Sequence, residues 1–99
     1  MGHYMVVAEL SIIPLGKEVG ISKYVKAALE ALKSADVKYE AGAMSTTIEA
    51  KNLAELFDAV EKAHEAVFRM GAKRVITTLK IDDRRDKVMS IASKLGAIR

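Results

Sequence analysis

Apolar residues in this chain repeat with two different periods, and the order in which those periods alternate constrains the fold more than any single residue does. Residues 4–13 place Tyr4, Val6, Ala8, Leu10 and Ile12 at every second position, with Glu9 and Ser11 among those between. That is the pattern of a strand with one face against a core. Pro14-Leu15-Gly16 ends it, and a loop runs to Gly20. The period then changes. Ile21, Tyr24, Val25, Ala28, Leu29 and Leu32 recur at three and four residues, which predicts a helix over 21–35 with Ser22 at its cap or in its first turn. Two short strands are expected at 37–42 and 44–51, turning near Gly42. Asn52, with Glu55 three residues on, resembles a capping box and opens a second helix. Its expected buried stripe is Leu53, Leu56, Phe57, Val60, His64, Val67 and Phe68, and Gly71 stops it. A last long strand at 74–82 puts Val75, Thr77, Leu79 and Ile81 on one face, and a short C-terminal helix carries Val88, Ile91, Ala92 and Leu95.

Strand, helix, strand, strand, helix, strand is the split βαβ pattern. It predicts an α+β, ferredoxin-like βαββαβ sandwich: a four-stranded antiparallel sheet with two helices on one face, plus the helical tail. With 99 residues and no linker, the chain reads as one domain spanning 1–99. The other sheet face is expected to hold Val7, Glu9, Ser11, Ile13, Lys38, Glu40, Ser45, Thr47, Glu49, Ile76, Thr78 and Lys80. Val7, Ile13 and Ile76 are too apolar for a fully wetted face, so self-association is expected to cover them.

Composition narrows the function. There is no cysteine, which excludes disulfides, thiolate metal sites and a cysteine nucleophile. No leader with a long apolar run and no membrane-length apolar stretch is visible, so the default is a cytoplasmic protein without a membrane partner. Met1-Gly2 begins like a myristoylation signal, but Val6 stands where Ser or Thr is required. A net charge of +3, with basic residues scattered among acidic ones, gives no nucleic-acid footprint.

The densest polar chemistry lies in Met44-Ser45-Thr46-Thr47-Ile48-Glu49. Three hydroxyls and a carboxylate can read the edge of a heteroaromatic ring, since hydroxyls both donate and accept. The same run also fits a strand in which Thr is simply a good β former. His64 sits on an apolar stripe, where a lone histidine is a satisfied core residue more often than a ligand or base. His3 is far from it in sequence, and no second histidine stands at metal spacing, so no metal is expected. Neither a nucleophile elbow nor a dinucleotide or P-loop fingerprint is present, although the loop between Gly16 and Gly20 precedes a helix start that can hold an anion. The run Ile81-Asp82-Asp83-Arg84-Arg85-Asp86 reads as solvated ion pairs or a subunit contact in preference to a phosphate or metal site.

Four of these segments occur together and in order: Ile13-Pro14-Leu15-Gly16, Ser22-Lys23-Tyr24-Val25, Met44-Ser45-Thr46-Thr47-Ile48-Glu49, and Arg74-Val75 running into Lys80-Ile81-Asp82-Asp83-Arg84-Arg85-Asp86. As a set, covering nearly the whole chain, they resemble the small thiamine-binding protein family. The resemblance implies a ferredoxin-like fold and a homotetramer built as a dimer of dimers. It also implies binding of thiamine or its hydroxymethylpyrimidine moiety, without established catalysis or a cofactor. Carried over residue by residue, the implied ligand contacts are Ser11, Ser22, Thr46, Thr47 and Glu49. Strand alternation places Thr46 and Thr47 on opposite faces, so both can serve only where a pocket lies at a sheet edge or a subunit junction. A carboxylate such as Glu49 would accept from the pyrimidine amino group, with Tyr24, Tyr39 or Met44 against the ring. Two other readings are a regulatory or structural homo-oligomer for another small ligand, and an enzyme using Glu49 and His64 as an acid–base pair. For Glu49, the alternative to ligand contact is a cross-strand pair with a basic residue such as Lys80.

Overall fold

In the computed structural model, residues 4–16 and 21–99 are described. The order is β1 (Val6–Pro14), α1 (Ser22–Lys33), β2 (Lys38–Ala41), β3 (Thr46–Ala50), α2 (Leu53–Arg69), β4 (Val75–Asp82) and α3 (Ile91–Gly96). The strands form one antiparallel sheet in the order β2-β3-β1-β4, which with its packed helices is the expected ferredoxin-like α+β arrangement. His3 and the loop positions 17–20 lie outside the described residues.

Period two decides the faces. Val6, Ala8 and Leu10 of β1, Ile48 and Ala50 of β3, and Leu79 and Val75 of β4 face α1 and α2, which bring Tyr24, Ala28, Leu32, Leu56, Ala59, Ala63 and Val67 to the same core. In α2 the buried stripe differs from the expected one. Leu56, Ala59, Ala63, Ala66 and Val67 are buried, whereas Phe57 is 50% and Phe68 36% exposed. Small alanines let α2 approach α1 and the sheet closely, and this rotates the bulky phenylalanines out toward β4. His64 stays part-buried on that outer stripe. Its Nδ1 hydrogen-bonds Thr77 Oγ1 at 2.6 Å, and its ring lies 5.3 Å from that of Phe68.

The helix ends follow their caps. The Asn52 side chain accepts from the Glu55 N–H at 2.8 Å, as its spacing predicted. Gly71, at φ 102°, takes the left-handed conformation that releases the chain after α2. Of its two expected placements, Ser22 takes the one in the first turn, as the first helical residue; the cap position is Ile21, without a side-chain bond.

The second sheet face is partly roofed by the chain itself. Val7 and Glu49 sit opposite each other across β1 and β3 and are both buried, Glu49 at 7% exposure. α3 packs on β3 there. Met89, not Val88, is the buried residue that precedes it, Val88 being exposed. A Ser90–Ser93 capping box starts α3, and the Ile91 N–H donates to Glu49 Oε1 at 2.9 Å.

Candidate functional site

The strands differ in length, and this opens a notch. β1 pairs with β3 only from Val6 to Leu10, yet continues along β4 to Pro14. The Ser11–Pro14 stretch of β1 therefore has an edge with no strand beside it among the described residues. Across the gap stands the β2–β3 hairpin, closed by the Gly42 N–H donating to the Ser45 carbonyl at 2.8 Å. A Cβ on Gly42 would meet that same carbonyl at 3.0 Å, so glycine is what lets the turn close this tightly. The start of α1 forms the third wall.

The resulting cavity, of about 250 Å³, is lined by Ile12, Ile13, Ile21, Val25 and Met44 on its apolar side, and by Ser11, Ser45 and Thr46 on its polar side. Because the cavity lies where β3 stops, a hydroxyl from the helix face (Thr46) and two from the other face (Ser11, Ser45) line the same space. Strand alternation would separate them anywhere else in the sheet. Ser45 Oγ donates to Glu9 Oε2 at 2.9 Å, which holds a carboxylate beside the notch. Among open-face neighbours, Glu9 is flanked by Thr47 on β3 and Lys80 on β4.

Of the five residues singled out from the sequence, Ser11 and Thr46 line this notch. Ser22 is exposed next to Ile21 at its rim. Thr47 lies further along the open face, in a shallow hollow with Val7, Glu9, Lys80 and Lys94. Glu49 lies under the start of α3. The basic side chain opposite Glu49 is Lys38 of β2, while Lys80 is opposite Glu9, so the pairing of Glu49 with Lys80 does not form. Glu49 and His64 do not meet either: the first is on the α3 side of the sheet and the second is on the α2 side. Two residues not singled out as ligand contacts, Ser45 and Glu9, belong to the notch. The signal for Glu9 was available, since it is the one acidic residue inside the apolar run of β1.

Wider hollows beside α3 are lined by Asp82, Arg84, Asp86 and Lys94, which are ion-paired among themselves. Arg84 donates to both Asp86 oxygens at 2.6 Å and holds that carboxyl down at about 2. Arg85 binds Asp83 in the same forked manner. The guanidinium groups are raised in turn by these carboxylates. The charge run of 81–86 is thus taken up in ion pairs, two within the run and one from Asp82 to Lys94 of α3, the structural alternative expected from sequence. Among the described residues no group of three or more His, Asp or Glu is placed to hold a metal ion, and no helix is long and apolar enough to cross a membrane.

A family model described as thiamine-binding protein matches residues 8–99 of the chain. A UPF0045 protein of Methanothermobacter thermautotrophicus is 50% identical over 96 residues, covering 96% of this chain and 97% of that protein. A crystal structure of a Methanocaldococcus jannaschii protein superposes with a TM-score of 0.88 at 49% identity, covering 95% of each chain. A Thermotoga maritima structure, whose protein carries a provisional role in thiamine biosynthesis or salvage, gives a TM-score of 0.81 at 25% identity over 96% of this chain and 99% of that one.

Proposed function

The chain belongs to the thiamine-binding protein family, and from that premise we propose that it binds thiamine, or its hydroxymethylpyrimidine moiety, as a non-catalytic carrier or sensor in the cytoplasm. The observation that carries this reading is the notch, where hydroxyls from both faces of the sheet and an apolar wall line one cavity. An aminopyrimidine presents ring-nitrogen acceptors and an amino donor along one rim. Ser11, Ser45 and Thr46 supply groups that donate or accept, and the edge of β1 past Leu10 supplies backbone polar groups for the same rim. Ile13, Ile21, Val25 and Met44 supply apolar contact for the ring faces. Glu9, tethered by Ser45, places negative charge where a cationic thiazolium leaving the notch would lie.

Size supports a division of labour. A cavity of about 250 Å³ is below the span usual for drug-sized ligands, so one heteroaromatic ring fills it and the second ring projects over the open face toward Thr47. Glu49 belongs to the fold in this reading, as the acceptor for α3. The chain is proposed to assemble as a homotetramer, a dimer of dimers, which the exposed Ile13–Ile76 cross-strand pair supports.

Calorimetry with thiamine, hydroxymethylpyrimidine and thiamine phosphates tests the reading. Binding of the pyrimidine alone, abolished by filling the notch with Ser11→Leu, is the expected result. Failure of all of them to bind, with another small molecule raising the melting temperature in a ligand panel, would favour the regulatory reading instead.

A further inference from the structure

The three hydroxyls of the notch are not equivalent. Ser45 Oγ has one proton and gives it to Glu9 Oε2 at 2.9 Å. A carboxylate only accepts, so the direction of that bond is fixed. What Ser45 keeps for the cavity is lone pairs. Ser11 and Thr46 line the same space, and among the described residues neither hydroxyl has a hydrogen-bond partner. Each can turn to donate or to accept. Ser45 can donate into the notch only by releasing a charge-assisted bond, roughly twice as strong as a neutral one.

The sheet places Glu9 for this. It is exposed on the open face, with Thr47 opposite it on β3 and Lys80 opposite it on β4. Among the described residues Lys80 makes no ion pair with it, and the Ser45 hydroxyl is what the carboxylate binds. No part of the core rests on Glu9.

The notch therefore offers two adaptable hydroxyls and one fixed acceptor. A ligand donor satisfies a fixed acceptor, whereas a ligand carbonyl at the same spot sets lone pair against lone pair. On a pyrimidine, an exocyclic amino group is such a donor. An oxo group in its place is of similar size and opposite polarity. The ring nitrogens discriminate less, because Ser11 and Thr46 can reverse to match whichever nitrogen carries a proton.

We propose that Glu9 is a positioning residue for ligand selection: by holding the Ser45 proton it makes Ser45 an obligate acceptor, and the notch takes an aminopyrimidine and rejects its oxo counterpart. This rests on the reading that a pyrimidine occupies the notch, and adds which exocyclic group is read and by what. It is separate from the charge that Glu9 offers a thiazolium, since it acts on a neutral ligand as well.

Neutral ligands isolate the effect. Hydroxymethylpyrimidine and its 4-oxo analogue are titrated by calorimetry into the wild type, Glu9→Gln and Ser45→Ala, each beside a melt of the unliganded protein. The wild type should favour the amino compound by about 5- to 150-fold, the penalty of one mispaired polar group. In Glu9→Gln the side-chain amide can accept the serine proton or give one of its own. Ser45 can then face either way, and the preference should fall close to parity. Ser45→Ala removes the fixed acceptor and should level the two compounds as well. A merely structural Glu9 would weaken both compounds alike and leave their ratio unchanged. An unchanged ratio in Glu9→Gln, or a wild type that binds both compounds equally, would overturn the inference while the notch stood as the pyrimidine site. Binding of neither compound to the wild type would remove that site and the inference with it.

Discussion

The two halves of β1 differ in everything but their strand conformation. From Val6 to Leu10 the strand has a partner on each side over most of its length, with helices beneath it and the approach to α3 above Val7. From Ser11 to Pro14 it has β4 alone among the described residues, and Ile13 is 46% exposed. The first half is where packing energy is collected, and the second is where backbone, hydroxyls and apolar surface are left for something else to use. In the proposed function, binding and stability are thereby separated along one strand, without a flexible loop between them.

Substitutions in the two halves should behave oppositely. The largest effect is expected from Ile48→Ala, since that side chain is fully buried against the first half. Urea unfolding should show a loss of about 2–5 kcal/mol, whereas Ile13→Ala should leave stability nearly unchanged and weaken thiamine binding. Equal destabilisation by both would erase the distinction.

Glu49→Ala comes next, because it removes the charged acceptor of the Ile91 N–H. About 1.5–3 kcal/mol of stability should go with it, and calorimetric affinity for thiamine should stay as it was. A large loss of affinity at unchanged stability would move the site from the notch to the roofed half.

Ser11→Ala and Thr46→Val sharpen the picture from the other side. Each should cost about 0.5–1.5 kcal/mol of pyrimidine binding with little change in the melt. If only one of them matters, the ligand reads one face of the sheet and not both.

The smallest effect concerns the charge run beside α3. Asp86 titrates at about 2, chiefly through its hydrogen bonds from Arg84. A depressed carboxyl stabilises the fold above its ordinary titration range, and that contribution is lost as pH falls through about 2. Carbon-detected NMR should find that midpoint, and Arg84→Gln should return it toward the usual carboxylate range.

Much of this was legible in the residues because period two survives any error in strand ends. The open-face positions from Val7 to Lys80 follow from alternation alone, and so does the Asn52 cap. The face of α2 was misjudged because size was weighed above fit: Ala59, Ala63 and Ala66 carry little hydrophobic signal, yet they set how near the helix can come. Met89 belongs to no periodic stripe, so nothing marked it as buried. The partner of Glu49 stands 42 positions away, beyond any local pattern. The notch depends on β3 ending before β1 does, a difference of strand length that composition does not encode.

That difference also separates heritable variation in what is bound from variation in what is folded. Trimming the β2–β3 hairpin by one residue pair would lengthen the bare stretch of β1 by about 3.4 Å and leave it bordered by a pair that faces the other side of the sheet. Trimming it by two pairs would lengthen it by about 7 Å and restore the original facing. Neither change reaches the alanines of α2, and the one-pair change also leaves Ile48 inside β3. A lineage carrying this scaffold can therefore resize its cavity in discrete steps through a turn at the periphery, with the core free to remain as it is.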